Sequence, residues 1–170
     1  MTFGQQILAT LIGTVSGFLL SIVLFWIKEK WATCKTNSFV VKNAQAELDI
    51  GISILEKAKN EISKAIEKVT VQDSSVFVNI NYSRMARMFL IQFYNSGLMI
   101  KKLTVDEINK LNNIYINFAE GSEAHLIKTL DSYSKGETTP KAALNSLTYE
   151  RELIQESITD LTNFRKKIGQ

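Results

Sequence analysis

Residues 7 to 27 read ILATLIGTVSGFLLSIVLFWI, and none of these side chains carries a charge. As an α-helix rising 1.5 Å per residue, the stretch is about 31 Å long, which matches a bilayer hydrocarbon core of roughly 30 Å. A transmembrane helix over 7–27 is therefore expected, with residues 1–6 as a short external tail. A cleaved signal peptide fits less well. The leading MTFGQQ has no Lys or Arg, KEKW follows where a small-x-small cleavage site would stand, and the apolar run exceeds the usual ~7 to 15 residues.

The flanks orient the helix. Lys28, Lys30, Lys35 and Lys42 follow it with only Glu29 against them, whereas no basic side chain precedes it. Basic residues stay on the cytoplasmic side, so the N-terminus is expected outside and the remainder in the cytoplasm, at the plasma (bacterial inner) membrane. Trp26 and Trp31 fall where an interfacial aromatic belt anchors that end, and with Lys28, Lys30 and Lys35 they form the expected interface anchors. Residues 28–42 carry the whole chain's net charge of +3. The excess thus sits beside the membrane, where anionic headgroups attract it, and a nucleic-acid partner is not expected.

Within the apolar run, Ala9, Gly13, Gly17 and Ser21 recur every four residues and make a stripe of small side chains. In lipid, helices associate by close packing, and small residues let backbones approach. The stripe is the candidate packing face, against a second copy or another membrane protein. Leu11, Val15, Phe18, Leu19, Ile22 and Phe25 are left for lipid.

Residues 28–37 read as a basic juxtamembrane segment, and 38–170 as an all-α bundle of about four helices, the longest near 30 residues. The first runs from about Ser38 to Thr70, with Val41, Ala44, Leu48, Ile52, Leu55, Ile62, Ile66 and Val69 as its apolar series. Val76, Val78, Ile80 and Tyr82 alternate with Phe77, Asn79 and Asn81, but one strand in a helical chain leaves its backbone unpaired, so a loop is expected. A second helix holds RMARMFLIQFYNSGLMI. Thr104 with Glu107 then has the S/T-x-x-E form of a capping box, opening a third helix to Tyr133 that is bent, if anywhere, at Gly121. Thr139 before Pro140 marks the start of the last helix, whose apolar series from Leu144 to Ile168 is interrupted at Arg151. Such stripes also suit coiled-coil pairing between protomers.

Chemistry is sparse. The chain has one His, at 125, and one Cys, at 34, and lacks the glycine-rich phosphate-binding motifs. Glu120, Glu123 and His125 are close in sequence, but on a helix Glu123 and His125 face apart. No catalytic, cofactor or metal site is expected, nor an enzyme. The expected function is a single-pass, membrane-anchored interaction or adaptor protein, self-associating through its membrane helix and presenting its bundle to a cytoplasmic protein. The alternative is a membrane-active effector, a toxin or defence component, whose assembled helices permeabilise the bilayer. Abundant Lys, Ile and Asn beside only four Arg favours a bacterial source.

Overall fold

The computed structural model describes residues 3–170, and of residues 4–10 only the backbone. Among the described residues there are six helices and no strand: α1 (Phe3–Thr70), α2 (Met88–Asn95), α3 (Leu98–Lys102), α4 (Val105–Asn117), α5 (Ala124–Ser134) and α6 (Pro140–Gly169). The chain divides into two compact units, Met1–Phe39 and Val40–Gln170, and α1 contributes to both.

Residues 28–37, expected as a separate segment before a helix starting near Ser38, are themselves helical and belong to α1. KEKWATCKTN has neither Gly nor Pro to stop a helix, and its hydroxyls are used inside it. Thr33 Oγ1 donates to the Glu29 carbonyl at 2.9 Å and Thr36 Oγ1 to that of Ala32 at 3.0 Å. A hydroxyl turned back onto its own helix cannot cap a new one.

In the second unit, the buried face of α1 runs Ala44, Leu48, Gly51, Leu55, Ala58, Ile62, Ala65, Val69. Steps of four and three alternate throughout, the period of about 3.5 residues that knobs-into-holes packing requires. α6 has the same rhythm in Ala143, Leu147, Ile154, Ser157, Leu161, Phe164 and Ile168, with half-buried Glu150 completing it. The two run antiparallel. Gln45 Nε2 donates to the Arg165 carbonyl at 3.3 Å, Arg165 pairs with Asp49, and Lys59 meets Gln155, so numbers rise along one helix as they fall along the other. Each large side chain sealed in this seam is worth roughly 2–5 kcal/mol against truncation to alanine.

Two of the expected helices are each divided. The second stops at Asn95, because Gly97 takes φ +71°, and restarts at Leu98. The third ends at Asn117, and Gly121 at φ +84° turns the chain before α5. Left-handed backbone is cheap for glycine and ends an α-helix wherever it is adopted. Residues 71–87 between α1 and α2 are extended or turning, and the alternation seen in sequence is one of burial. Val76, Ile80 and Tyr82 are buried whereas Phe77, Asn79 and Asn81 are exposed, so the segment lays one side on the core.

Two starts match expectation. Thr104 Oγ1 accepts from the Glu107 amide at 3.3 Å, while Glu107 Oε2 accepts from the Thr104 amide at 3.0 Å. Lys167 reaches the same carboxyl and, with the Thr104 amide next in importance, holds it below the usual carboxylate range. Thr139 Oγ1 accepts from the Ala142 amide at 3.3 Å, with Pro140 in the first turn of α6.

Candidate functional site

One helix, α1, is long and apolar enough over its N-terminal part to cross a membrane, and none of that apolar stretch is buried. Leu11, Ile12, Val15, Phe18, Leu19, Leu20, Ile22, Val23, Leu24, Phe25 and Ile27 are all exposed. They spread over most of the helix circumference and leave only the face of Thr14, Gly17 and Ser21, unlike the one-sided stripe of a helix lying on a soluble core.

Gly13 and Gly17 lie within this stretch, and a Cβ added at either meets nothing within 4 Å. Ser21, the next member of the stripe, donates its hydroxyl to the Gly17 carbonyl at 2.8 Å. That bond satisfies the hydroxyl inside its own helix, as an apolar surrounding demands. The fourth member, Ala9, falls outside the described side chains.

Four of the residues expected as interface anchors are paired along the helix. Lys30 Nζ stands 4.3 Å from the ring centroid of Trp26, and Lys35 Nζ 5.2 Å from that of Trp31. Both are i, i+4 pairs, so helical geometry alone brings each ammonium over its indole, an attraction of about 0.5–1 kcal/mol at an exposed site. Lys28 is exposed. Cys34, the single thiol, is exposed too.

The second unit holds two polar constellations that the sequence reading missed. The first is built around Glu47, a carboxylate only 5% exposed on α1. It accepts from the Leu90 amide at 2.8 Å, in the first turn of α2, where a helix has unsatisfied N–H groups and the positive end of its dipole. No side chain within α2 does this, since Arg87 at its N-cap makes no capping bond. Tyr115 stands near Glu47, and its phenol is pushed above its ordinary value by burial first and then by the Glu47 charge, with Arg87 opposing. Its hydroxyl is buried without a hydrogen-bond partner among the described residues. The signal for Glu47 in sequence was its place between Ala44 and Leu48 of the core series.

Beside this constellation a cleft of about 320 Å³ opens between α2–α3 and α4. Leu90, Ile91, Tyr94, Met99, Ile108, Leu111 and Tyr115 form its apolar walls, with Arg87, Asn109 and Asn112 at polar positions.

The second constellation sits at Glu150, the one charged position in the α6 seam. Tyr82 donates its hydroxyl to Glu150 Oε1 at 3.2 Å. Burial raises the Glu150 carboxyl above its ordinary value, while the Tyr82 hydrogen bond and the His125 charge oppose the rise. Glu123 also acts on Tyr82, after burial and Glu150, and its Oε2 is buried without a partner among the described residues. Glu123 and His125 were expected to face apart on one helix. Glu123 stands at the N-cap position of α5 without a side-chain capping bond and His125 lies in the first turn; the Glu123 charge acts on Tyr82, and that of His125 on Glu150. Arg151, the expected interruption of the α6 series, is half-exposed beside it. Among the described residues, no group of three or more His, Cys, Asp or Glu side chains is placed to hold a metal ion.

No protein-family model matches the chain, and no curated protein or solved structure matches it either.

Proposed function

We propose that the chain is a single-pass membrane-anchored adaptor, whose N-terminal helix lies in the bilayer with residues 1–6 outside and whose helical unit presents itself to a protein partner in the cytoplasm. The carrying observation is the uncovered apolar surface of residues 11–27. Fully burying each such aliphatic or phenyl side chain is worth about 1.5–3 kcal/mol, so eleven of them represent on the order of 15–30 kcal/mol. That exceeds the net stability of a typical domain, about 5–15 kcal/mol. Such a surface requires a cover, and a bilayer covers every side of it at once. The Trp–Lys pairs at the C-terminal edge support the same placement, since an indole clamped to an ammonium suits the headgroup layer.

In this reading the open stripe of Gly13 and Gly17, continued by Ala9 and Ser21, packs against a second copy. The absence of any bulky side chain over Gly13 and Gly17 supports a close helix–helix approach there. Replacing both with isoleucine is expected to abolish disulfide-independent crosslinking between copies in membranes; an unchanged dimer yield would reject the stripe.

Cys34 supplies a test of topology without mutation, because it is exposed, unique and on the cytoplasmic side of the proposed span. A membrane-impermeant maleimide is expected to label it in inverted membrane vesicles and not in intact spheroplasts. Labelling in spheroplasts would overturn the orientation, and recovery of the chain in the soluble fraction would overturn the anchor.

A further inference from the structure

We propose that the cleft between α2–α3 and α4, with the exposed face of α2 beside it, is the docking groove for an acidic amphipathic helix of the protein partner. This deepens the adaptor reading and rests on it.

Three observations converge on that occupant. The cleft is concave, apolar and about 320 Å³ in volume, at the lower end of the ~300–1,000 Å³ range of binding pockets. Its apolar character continues along one side of α2: Ile91 and Tyr94, which line the cavity, and Met88 beyond it, spaced three residues apart, are 50%, 53% and 58% exposed. A short ridge beside a hole is the shape that receives apolar side chains from successive turns of a helix.

Charge then selects the partner. Residues 84–103 contain Arg84, Arg87, Lys101 and Lys102 and no Asp or Glu, and all four cations are exposed. Among the described residues, none of the four in this segment has a carboxylate within ion-pair distance. Arg87 lines the cleft itself, and Arg84, Lys101 and Lys102 stand on the same acid-free segment, so this side attracts a helix with carboxylates on the flanks of its apolar stripe. A bilayer would meet the same charges, but a flat surface leaves a concave cleft unfilled, so the observations favour a protein helix.

The test uses the full chain in phosphatidylcholine nanodiscs and a displayed library of helix-forming peptides about 20 residues long, enough to hold helix in water. Selection is expected to enrich peptides with net negative charge and apolar residues at i, i+3, i+4 and i+7. Binding should fall about tenfold or more in Arg87→Glu/Lys101→Glu and in Ile91→Asp, both surface changes whose folding circular dichroism verifies. The triple variant Arg87→Glu/Lys101→Glu/Lys102→Glu should instead enrich basic peptides. No acidic bias, or no binder at all, overturns the proposal. Binders indifferent to these substitutions overturn the groove while leaving the adaptor reading intact, whereas Cys34 labelling on the wrong side strikes that reading alone. Amide protection of α2–α3 that appears without peptide in phosphatidylglycerol nanodiscs would assign the face to lipid. Protection rising with protein concentration would assign it to a second copy. Either result defeats the proposal.

Discussion

Gly51→Ala is expected to stabilise the helical unit, although Gly51 is buried in the seam of α1. Intuition about a core glycine points the other way. A Cβ built there would stand 3.5 Å from the Tyr115 hydroxyl, 3.6 Å from Met85 Cε and 3.8 Å from Leu161 Cδ1. All three are ordinary van der Waals separations, so the methyl fits without moving backbone. Its backbone is helical, with no positive φ to require glycine. Two gains then add. Alanine exceeds glycine in a helix interior by about 0.8–1 kcal/mol, and a buried carbon contributes up to about 0.8 kcal/mol. Part of the second gain is lost against the polar Tyr115 hydroxyl, so the expected net is about 1 kcal/mol. For a unit of this size that raises the thermal midpoint by about 3–5 °C. The measurement is circular dichroism of the full chain in detergent, following the cooperative loss of helix, with Gly51→Val as a control expected to lose stability through overpacking. A fall in midpoint for Gly51→Ala would refute the packing described for Gly51, Tyr115 and Leu161.

Glu47→Ala should cost about 2–3 kcal/mol, because the Leu90 amide then sits buried with no acceptor, while Glu47→Gln keeps an acceptor oxygen and should cost less than half as much. Hydrogen exchange at Leu90 reports the difference, and equal losses for both variants would show that volume, not the cap, is what Glu47 supplies. Glu150 gives a pH dependence of defined sign. Its carboxyl lies above its ordinary value of 4.5 in the folded chain, so between that value and the raised one the folded state binds more protons and stability falls as pH rises. Glu150→Gln keeps the acceptor for the Tyr82 hydroxyl and removes this titration, so its midpoint at neutral pH should equal or exceed that of the native chain. The gap between the two should close on acidification as Glu150 protonates beside Tyr82, Glu123 and His125. A gap that widens in acid would contradict the assignment.

Helical character, the capping box at Thr104, the Thr139–Pro140 start and the loop over 71–83 were legible because each rests on local rules. The core series was legible only in part. Reading by hydrophobicity selects Ile52, Ile66, Leu144 and Ile158, which flank the seam, and passes over Gly51, Ala58, Ala65, Ala143 and Ser157, which fill it. Small residues look indifferent in a sequence because hydropathy rewards size, whereas a seam between two helices rewards fit. For the same reason Arg151 drew attention while Glu150, one residue earlier, holds the seam position. The burial of Glu47 could be read from its place between Ala44 and Leu48, but the amide it accepts from and the cleft were out of reach of local rules, since both depend on where α2 docks against α1 and α4.

The glycines show most clearly where local reading ends. Gly13, Gly17 and Gly51 remain helical, whereas Gly97, Gly121 and Gly136 turn left-handed, and nothing in residue type separates the two sets. What separates them is what each neighbourhood does with the chain. Leu103, Phe118 and Tyr133, close to the three turning glycines, are buried, and a helix continued past Gly97 or Gly121 would carry its later apolar residues away from that core. There the free energy of burial outweighs the hydrogen bonds lost in breaking a helix. Around Gly51 the straight helix already buries its neighbours, so no break occurs. Around Gly13 and Gly17 no core competes for the chain, and helix is what satisfies every backbone group in the bilayer proposed for residues 7–27. On that argument the two sets should differ under substitution. Alanine is tolerated at Gly13, Gly17 and Gly51 and costs about 1 kcal/mol or more at Gly97 or Gly121, where the left-handed backbone must be held by a residue with a Cβ. Thermal midpoints of the single alanine variants, measured side by side, decide it; equal tolerance at Gly121 and Gly51 would mean that the turn at Gly121 does not require glycine.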